Sequence, residues 1–254
     1  MLAGGYLPAM AEPPILPGAE SMSTAGGPTG VLVIHGFTGS PQSMRPIAEA
    51  CAAAGHTVEM PRLPGHGTTV EDMLTTSWAD WSAHVEAAYS DLASRCDRVI
   101  VTGLSMGGAL TLWLASRHPE IAGIAIINSA GRPDPGTIAG VKALVDAGQT
   151  TTDAVGNDIA KPGVVELAYD ATPLPPLLSL LEAVASFDLA AIHCPAVIVY
   201  SEQDHVVPPD TAAYIADSIS SDATLVALAE SYHVATLDHE AERIVEMVLE
   251  LAAG

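Results

Sequence analysis

Arg98-Val99-Ile100-Val101-Thr102-Gly103-Leu104-Ser105-Met106-Gly107-Gly108-Ala109-Leu110-Thr111-Leu112-Trp113 is the stretch that decides how this chain folds. Arg98–Thr102 is an apolar, β-branched run that suits a buried strand, and Met106–Arg117 is a helical segment that stops before Pro119. Between them, Gly103-Leu104-Ser105-Met106-Gly107 matches G-x-S-x-G. Composition alone would produce about 0.1 such matches by chance, so the pentapeptide is weak evidence by itself. The strand before it and the helix after it make it strong. A strand-to-helix turn this tight leaves no room for neighbouring side chains, so glycines flank the serine. Ser105 is then presented at a helix N-terminus, where amides and the helix dipole favour developing negative charge.

A serine hydroxyl needs a base, and the base needs an acid to orient it. The strand expected at Ala196–Tyr200 runs into Ser201-Glu202-Gln203-Asp204-His205, and the one at Thr224–Ala227 into Glu230-Ser231-Tyr232-His233-Val234. Asp204 and His233 thus follow strand C-termini, as Ser105 does, and the ligand sites of parallel sheets form along that edge. Glu202 is a rival acid, and His205 and His239 are rival bases. Asp204 is preferred because it precedes the Val206-Val207-Pro208 turn into a helix, and Asp238 reads as an N-cap or first-turn carboxylate of the last helix. An oxyanion needs two preorganised donors. Met106 N–H follows the serine, and Phe37 N–H lies in the post-strand loop His35-Gly36-Phe37-Thr38-Gly39. His35, at the end of a buried strand, is expected to brace that loop.

Strands are also expected at Gly30–Ile34, Thr57–Met60 and Gly123–Asn128, and helices at Ser43–Ala54, Ser77–Ala93, Pro209–Ile219 and Glu240–Leu251. Alternation of this kind predicts an α/β protein with a mostly parallel sheet. Trp78 and Trp81, at helical spacing with Val85 and Ala88, read as core anchors. Residues 132–185 carry several prolines and no clear strand, which suggests a cap inserted into a core of 29–131 and 186–254. Within that cap Leu174, Leu177, Leu178, Leu180 and Leu181 are divided between packing and a pocket wall. Residues 1–28 read as an N-terminal leader and lead-in, the first dozen or so of them flexible.

Composition sets further bounds. With 49% apolar residues among 254, the chain can bury a large core. A formal charge of −21 disfavours nucleic acid and anionic lipid as partners. Cys51, Cys96 and Cys194 show no metal-ligand spacing and read as buried reduced thiols. Without a recognisable signal sequence or an apolar run of membrane-spanning length, the expectation is a cytoplasmic protein with no stable membrane insertion.

The chain resembles bacterial carboxylesterases and monoacylglycerol lipases of the α/β-hydrolase superfamily. The likeness rests on His35-Gly36-Phe37-Thr38-Gly39-Ser40, Pro64-Gly65-His66-Gly67, Gly103–Gly108, Asp204 in SEQDHVVP, and Ser231-Tyr232-His233-Val234-Ala235-Thr236-Leu237-Asp238. It implies the α/β-hydrolase fold, with Ser105, Asp204 and His233 as a triad and Phe37 and Met106 as oxyanion donors. It further implies a small cap over an acyl pocket, a small-molecule acyl ester as substrate and no cofactor. Tyr232 departs from the glycine that similar proteins often carry there, and its ring could narrow the site or shift His233. The same triad also serves thioester hydrolysis, acyl transfer and carbon–carbon cleavage, and the fold alone serves non-catalytic binding proteins.

Overall fold

The computed structural model describes residues 13–154 and 156–254. In chain order the elements are β1 (Met22–Thr24), β2 (Thr29–Ile34), α1 (Arg45–Ala53), β3 (Thr57–Met60), α2 (Val70–Met73), α3 (Trp78–Arg95), β4 (Arg98–Leu104), α4 (Met106–Arg117) and β5 (Gly123–Ile127). There follow α5 (Pro135–Asp146), β6 (Thr151–Asp153), β7 (Ala171–Pro173), α6 (Leu174–Val184), β8 (Ala196–Ser201), α7 (Asp210–Ser218), β9 (Ala223–Leu228) and α8 (Ala241–Ala253). The main sheet runs β1-β3-β2-β4-β5-β8-β9, parallel throughout except for β1, which pairs antiparallel with β3. Residues 22–24, expected to be lead-in, are therefore an edge strand. Three residues are too few to show an alternating pattern. The expected leader over residues 1–12 lies outside the described residues.

Both faces of the sheet are covered, as the unbroken apolar runs require. Alternate residues point to opposite sides. Leu32, Ile34, Val99, Val101, Ile124 and Ile126 pack with Trp81, Val85 and Leu92 of α3 and Leu110 and Leu114 of α4. Val31, Val33, Ile100, Ala125 and Ile127 pack instead with Ile47 and Cys51 of α1 and Ile244 and Val248 of α8. Cys51 and Cys194 are buried free thiols, whereas Cys96 is half-buried. Burial raises the Cys51 pKa to about 11, so the thiol stays protonated.

Helix α3 begins as the capping pattern predicts: the Asp80 carboxylate accepts from both the Ser77 N–H (2.9 Å) and the Ser77 O–H (2.8 Å). Trp81 is fully buried and donates its indole N–H to the Pro64 carbonyl at 3.0 Å. Trp78, by contrast, is only half-buried and packs at the periphery against Trp113 and Phe187. One expectation for the inserted segment changes. It contains a short antiparallel pair, β6–β7, with Thr151 opposite Pro173. Proline and small polar residues mask strand propensity there. Helix α5 buries none of its residues, and no helix among the described residues is long and apolar enough to cross a membrane.

Candidate active site

The strand ends bring the chemistry to one edge. Ser105 joins β4 to α4 with φ 55° and ψ −114°, a conformation that an L-residue holds only when its surroundings enforce it. Its N–H donates to the Ile127 carbonyl at 2.9 Å, and its own carbonyl accepts from Ala109 and Ala130. The flanking glycines are required by space. A methyl group at 103 would overlap the Gly107 carbonyl, and one at 107 would overlap the Ile34 carbonyl. Among the described residues the Ser105 hydroxyl makes no hydrogen bond, and Ser105 lies in the wall of a cavity of about 260 Å³.

Asp204 and His233 are in contact. His233 Nδ1 lies 2.8 Å from Asp204 Oδ2, and only 9% and 2% of the two side chains is exposed. The other Asp204 oxygen accepts from the N–H groups of Val206 and Val207 at 2.8 and 2.9 Å, so the turn into α7 fixes the carboxylate. With Nδ1–H donated to Asp204, the Nε2 lone pair is the one left to act as a base. Glu202 and His239 are exposed, and His205 pairs with Asp158 at 2.8 Å. The Tyr232 ring packs edge-on against His205 with centroids 4.7 Å apart, and Tyr232 is not among the residues lining the Ser105 cavity.

Sequence reasoning missed Asn128, at the end of β5 with φ 44°. Its Oδ1 accepts from the Ser201 N–H (2.7 Å), while its Nδ2 donates to the His233 carbonyl (2.7 Å) and Ser201 Oγ (3.0 Å). One side chain thus ties the ends of β5 and β8 to the histidine loop. An asparagine closing an apolar strand gave no signal beyond its φ > 0 tolerance. Asp238, expected at the start of the last helix, is instead fully buried, and Glu240 holds the cap position of α8. Its oxygens accept from Ala160, Lys161, Tyr232 and His239 N–H at 2.7–2.8 Å. A buried carboxylate requires several such donors, and a helix start would supply too few.

The Phe37 loop runs close to Ser105: a methyl group at Gly36 would lie 3.4 Å from the Ser105 Cβ. Met106 opens α4, so its N–H has no helical acceptor. Among the described residues the Phe37 N–H is not hydrogen-bonded within the chain. His35 braces the loop as expected: Nδ1 bonds the Gly36 carbonyl at 2.9 Å and Nε2 accepts from Leu63 N–H at 3.1 Å. Burial, then the neighbouring His66, hold His35 well below the ordinary histidine pKa, so it is neutral.

The cavity wall includes Leu177, Leu180, Leu181, Val206 and Val207, with Phe37, Thr38, Glu166 and Tyr169. Leu174 is buried, and Leu178 is not among the lining residues. Desolvation raises the Glu166 carboxyl above the ordinary value, against the opposing influence of His233 and Ser43. A second chamber of about 260 Å³ shares Ala130, Thr137, Leu180, Leu181, Val206 and Val207 with the first and extends to Arg132. Among the described residues, no cluster of three or more His, Cys, Asp or Glu side chains is placed to hold a metal ion.

The sequence and the fold have counterparts among known proteins. The chain is 50% identical to a thermostable monoacylglycerol lipase of Bacillus sp. (strain H-257), over 94% of this chain and 96% of that one. It is 26% identical to a carboxylesterase of Bacillus subtilis (strain 168), covering 89% and 92% of the two chains. A solved structure described with LipS and LipT, two metagenome-derived lipolytic enzymes, superposes with a TM-score of 0.90 at 47% identity, over 94% of this chain and 99% of that one. The monoacylglycerol lipase of Paleococcus ferrophilus, at 18% identity and a TM-score of 0.75, shares the fold over 92% and 99% of the two chains. The sequence profile of the alpha/beta hydrolase family matches residues 31–247, a span that runs from within β2 through β9 and holds the Ser105, Asp204 and His233 loops, and this chain belongs to that family.

Proposed function

We propose that the protein is a serine carboxylic-ester hydrolase that cleaves monoacylglycerols or short-to-medium-chain acyl esters through an acyl-Ser105 intermediate. The observation that carries this reading is the placement of Ser105, its backbone strained and its hydroxyl without a hydrogen bond among the described residues, in a cavity whose wall is apolar along Leu177, Leu180, Leu181, Val206 and Val207. An acyl chain is held by such a wall. The same cavity is lined by Thr38 and Glu166, whose side-chain oxygens can accept from a hydroxyl-bearing alcohol such as glycerol. The 50% identity to a monoacylglycerol lipase supports the same substrate class.

In this reading Ser105 Oγ attacks the ester carbonyl as His233 Nε2 takes its proton. Asp204, bonded to Nδ1, holds the ring and stabilises the imidazolium. The Phe37 and Met106 N–H groups donate to the carbonyl oxygen as it becomes negative. Collapse of the tetrahedral species breaks the bond to the alcohol, which leaves with the proton from His233. Water then gives a proton to His233, attacks the acyl carbon, and frees the acid and Ser105. Residues 132–185 act as the cap over the cavity. In this reading the site operates without a cofactor and the protein acts in the cytoplasm.

The test is hydrolysis of monoacylglycerols and p-nitrophenyl esters by wild type and by Ser105→Ala. Removal of a triad nucleophile leaves about 10⁻⁴ of kcat or less. Near-wild-type turnover in the folded variant would sink the assignment.

A further inference from the structure

The inserted segment does more than cover the cavity. Asp158 lies in it, between β6 and β7, and its side chain is only 14% exposed. One carboxylate oxygen, Oδ2, accepts from two backbone N–H groups: His233 at 3.1 Å and His205 at 3.2 Å. Those residues are the base of the proposed reaction and the immediate neighbour of its acid. The other oxygen, Oδ1, pairs with His205 Nδ1 at 2.8 Å, and the Asp158 carbonyl accepts from Val234 N–H at 3.1 Å. Every one of these partners adjoins or belongs to the Asp204–His233 pair. Two and three residues further on, the N–H groups of Ala160 and Lys161 donate to buried Asp238, whose carboxylate also receives Tyr232 N–H.

From the core side, Asn128 donates to the His233 carbonyl at 2.7 Å. The backbone of His233 is therefore pinned at its carbonyl by the sheet and at its N–H by the insertion. Removing the second pin takes the acceptor from the His233 N–H while Asn128, Asp204 and the Val234 N–H bond to the Asp158 carbonyl remain, so the loop shifts rather than detaches and the imidazole moves with it. We infer that Asp158 is a positioning residue, holding the acid and base loops in register so that the His233 ring meets Ser105. The inference rests on the reading of His233 as the general base.

It is tested with p-nitrophenyl acetate, whose small acyl group makes little use of the cavity wall. In Asp158→Ala, kcat falls by about 10- to 100-fold, the loss expected when a catalytic group is displaced by roughly 1 Å. KM stays within about twofold, because substrate binding is untouched. Asp158→Asn keeps an oxygen for the two N–H groups and recovers most of the lost kcat. Asp158→Glu keeps the charge but moves the oxygens by one methylene, and it loses kcat as the alanine variant does while the unfolding midpoint stays close to wild type. Wild-type kcat in the alanine or glutamate variant overturns the inference. So does an asparagine variant no better than alanine, since charge and not the paired N–H bonds would then be responsible. If alanine does not fold, the glutamate variant decides. If neither folds, Asp158 holds the fold rather than the histidine, and the inference is wrong. His233→Ala is run alongside: full activity there would refute the reading beneath, whereas a dead His233→Ala with unaffected Asp158 variants would refute this inference alone.

Discussion

Replacing His66 by glutamine probes a charge that the fold excludes. His66 is fully buried, donates Nδ1–H to the Pro64 carbonyl at 3.0 Å, and lies among the rings of His35, Phe37 and Trp81. Its other ring nitrogen is buried and has no hydrogen-bond partner among the described residues. Burial, followed by repulsion from Arg62, lowers its pKa from 6.5 to about 4, although the Pro64 bond and Asp72 act the other way. The unfolded chain takes up this proton near pH 6.5, while the folded chain resists it down to about 4. The native state thus binds fewer protons in that window, and its stability is fully present above pH 6.5 and lost as the pH falls toward 4. A shift of this size amounts to about 3 kcal/mol at its limit, of which about 2.5 kcal/mol is gone by pH 4.5. His35, also lowered by burial, adds a loss of the same sign.

Carboxylates titrate in the same range, so the difference between two proteins is the useful quantity. Urea unfolding of wild type and His66→Gln, followed by circular dichroism at pH 7 and 4.5, isolates it. Glutamine can still donate to Pro64 but carries no titrating ring. At pH 7 wild type is the more stable. By pH 4.5 the gap has moved in the variant's favour by about 2.5 kcal/mol, or roughly 5–10 °C in Tm for a chain of this size. A gap that stays constant across that range would refute the reasoning.

Other substitutions probe the site. Gly107→Ala places a methyl on the Ile34 carbonyl, which cannot give way without moving β2, so at least about 3 kcal/mol of stability and nearly all activity should be lost in urea unfolding and ester assays. Leu181→Trp fills space at the wall that the two chambers have in common. The ratio of kcat/KM for dodecanoyl to acetyl p-nitrophenyl esters should fall about tenfold or more, and an unchanged ratio would mean that long acyl chains run elsewhere. Asn128→Ala removes bonds to both Ser201 and His233 at a buried position. A loss of about 2–3 kcal/mol and a lower kcat should accompany it, read by the same unfolding and rate measurements.

The sheet was legible because its strands are buried on both faces. Val31–Ile34 and Val99–Val101 are unbroken apolar runs, and neither can be mistaken for a half-exposed strand. Met106–Arg117 was readable to the residue, since the elbow fixes its start and Pro119 its end. The short strands were not. Met22–Thr24 and Ala171–Pro173 are held by pairing rather than by composition, and a proline ends the second. At the site, Ser105, Asp204 and His233 could be proposed from local motifs because each follows a strand. Asn128, Asp158 and Glu166 could not, for their significance comes from the partner that tertiary structure gives them. Asp158 lies 75 residues from His233 in the chain, and no local pattern records that contact. Asp238 was placed at a helix start because a carboxylate before a helix is ordinarily a cap; its actual donors include Ala160 and Lys161, from the insertion.

The central claim is that Ser105 is the nucleophile, activated by His233. Mass spectrometry after treatment with a fluorophosphonate tests it most directly, because the reagent forms a covalent bond only with an activated hydroxyl. One adduct per chain is predicted, on the peptide carrying Gly103-Leu104-Ser105-Met106-Gly107, with no adduct in Ser105→Ala and strongly slowed labelling in His233→Ala. An unlabelled wild-type protein, or an adduct at another serine, would contradict the account.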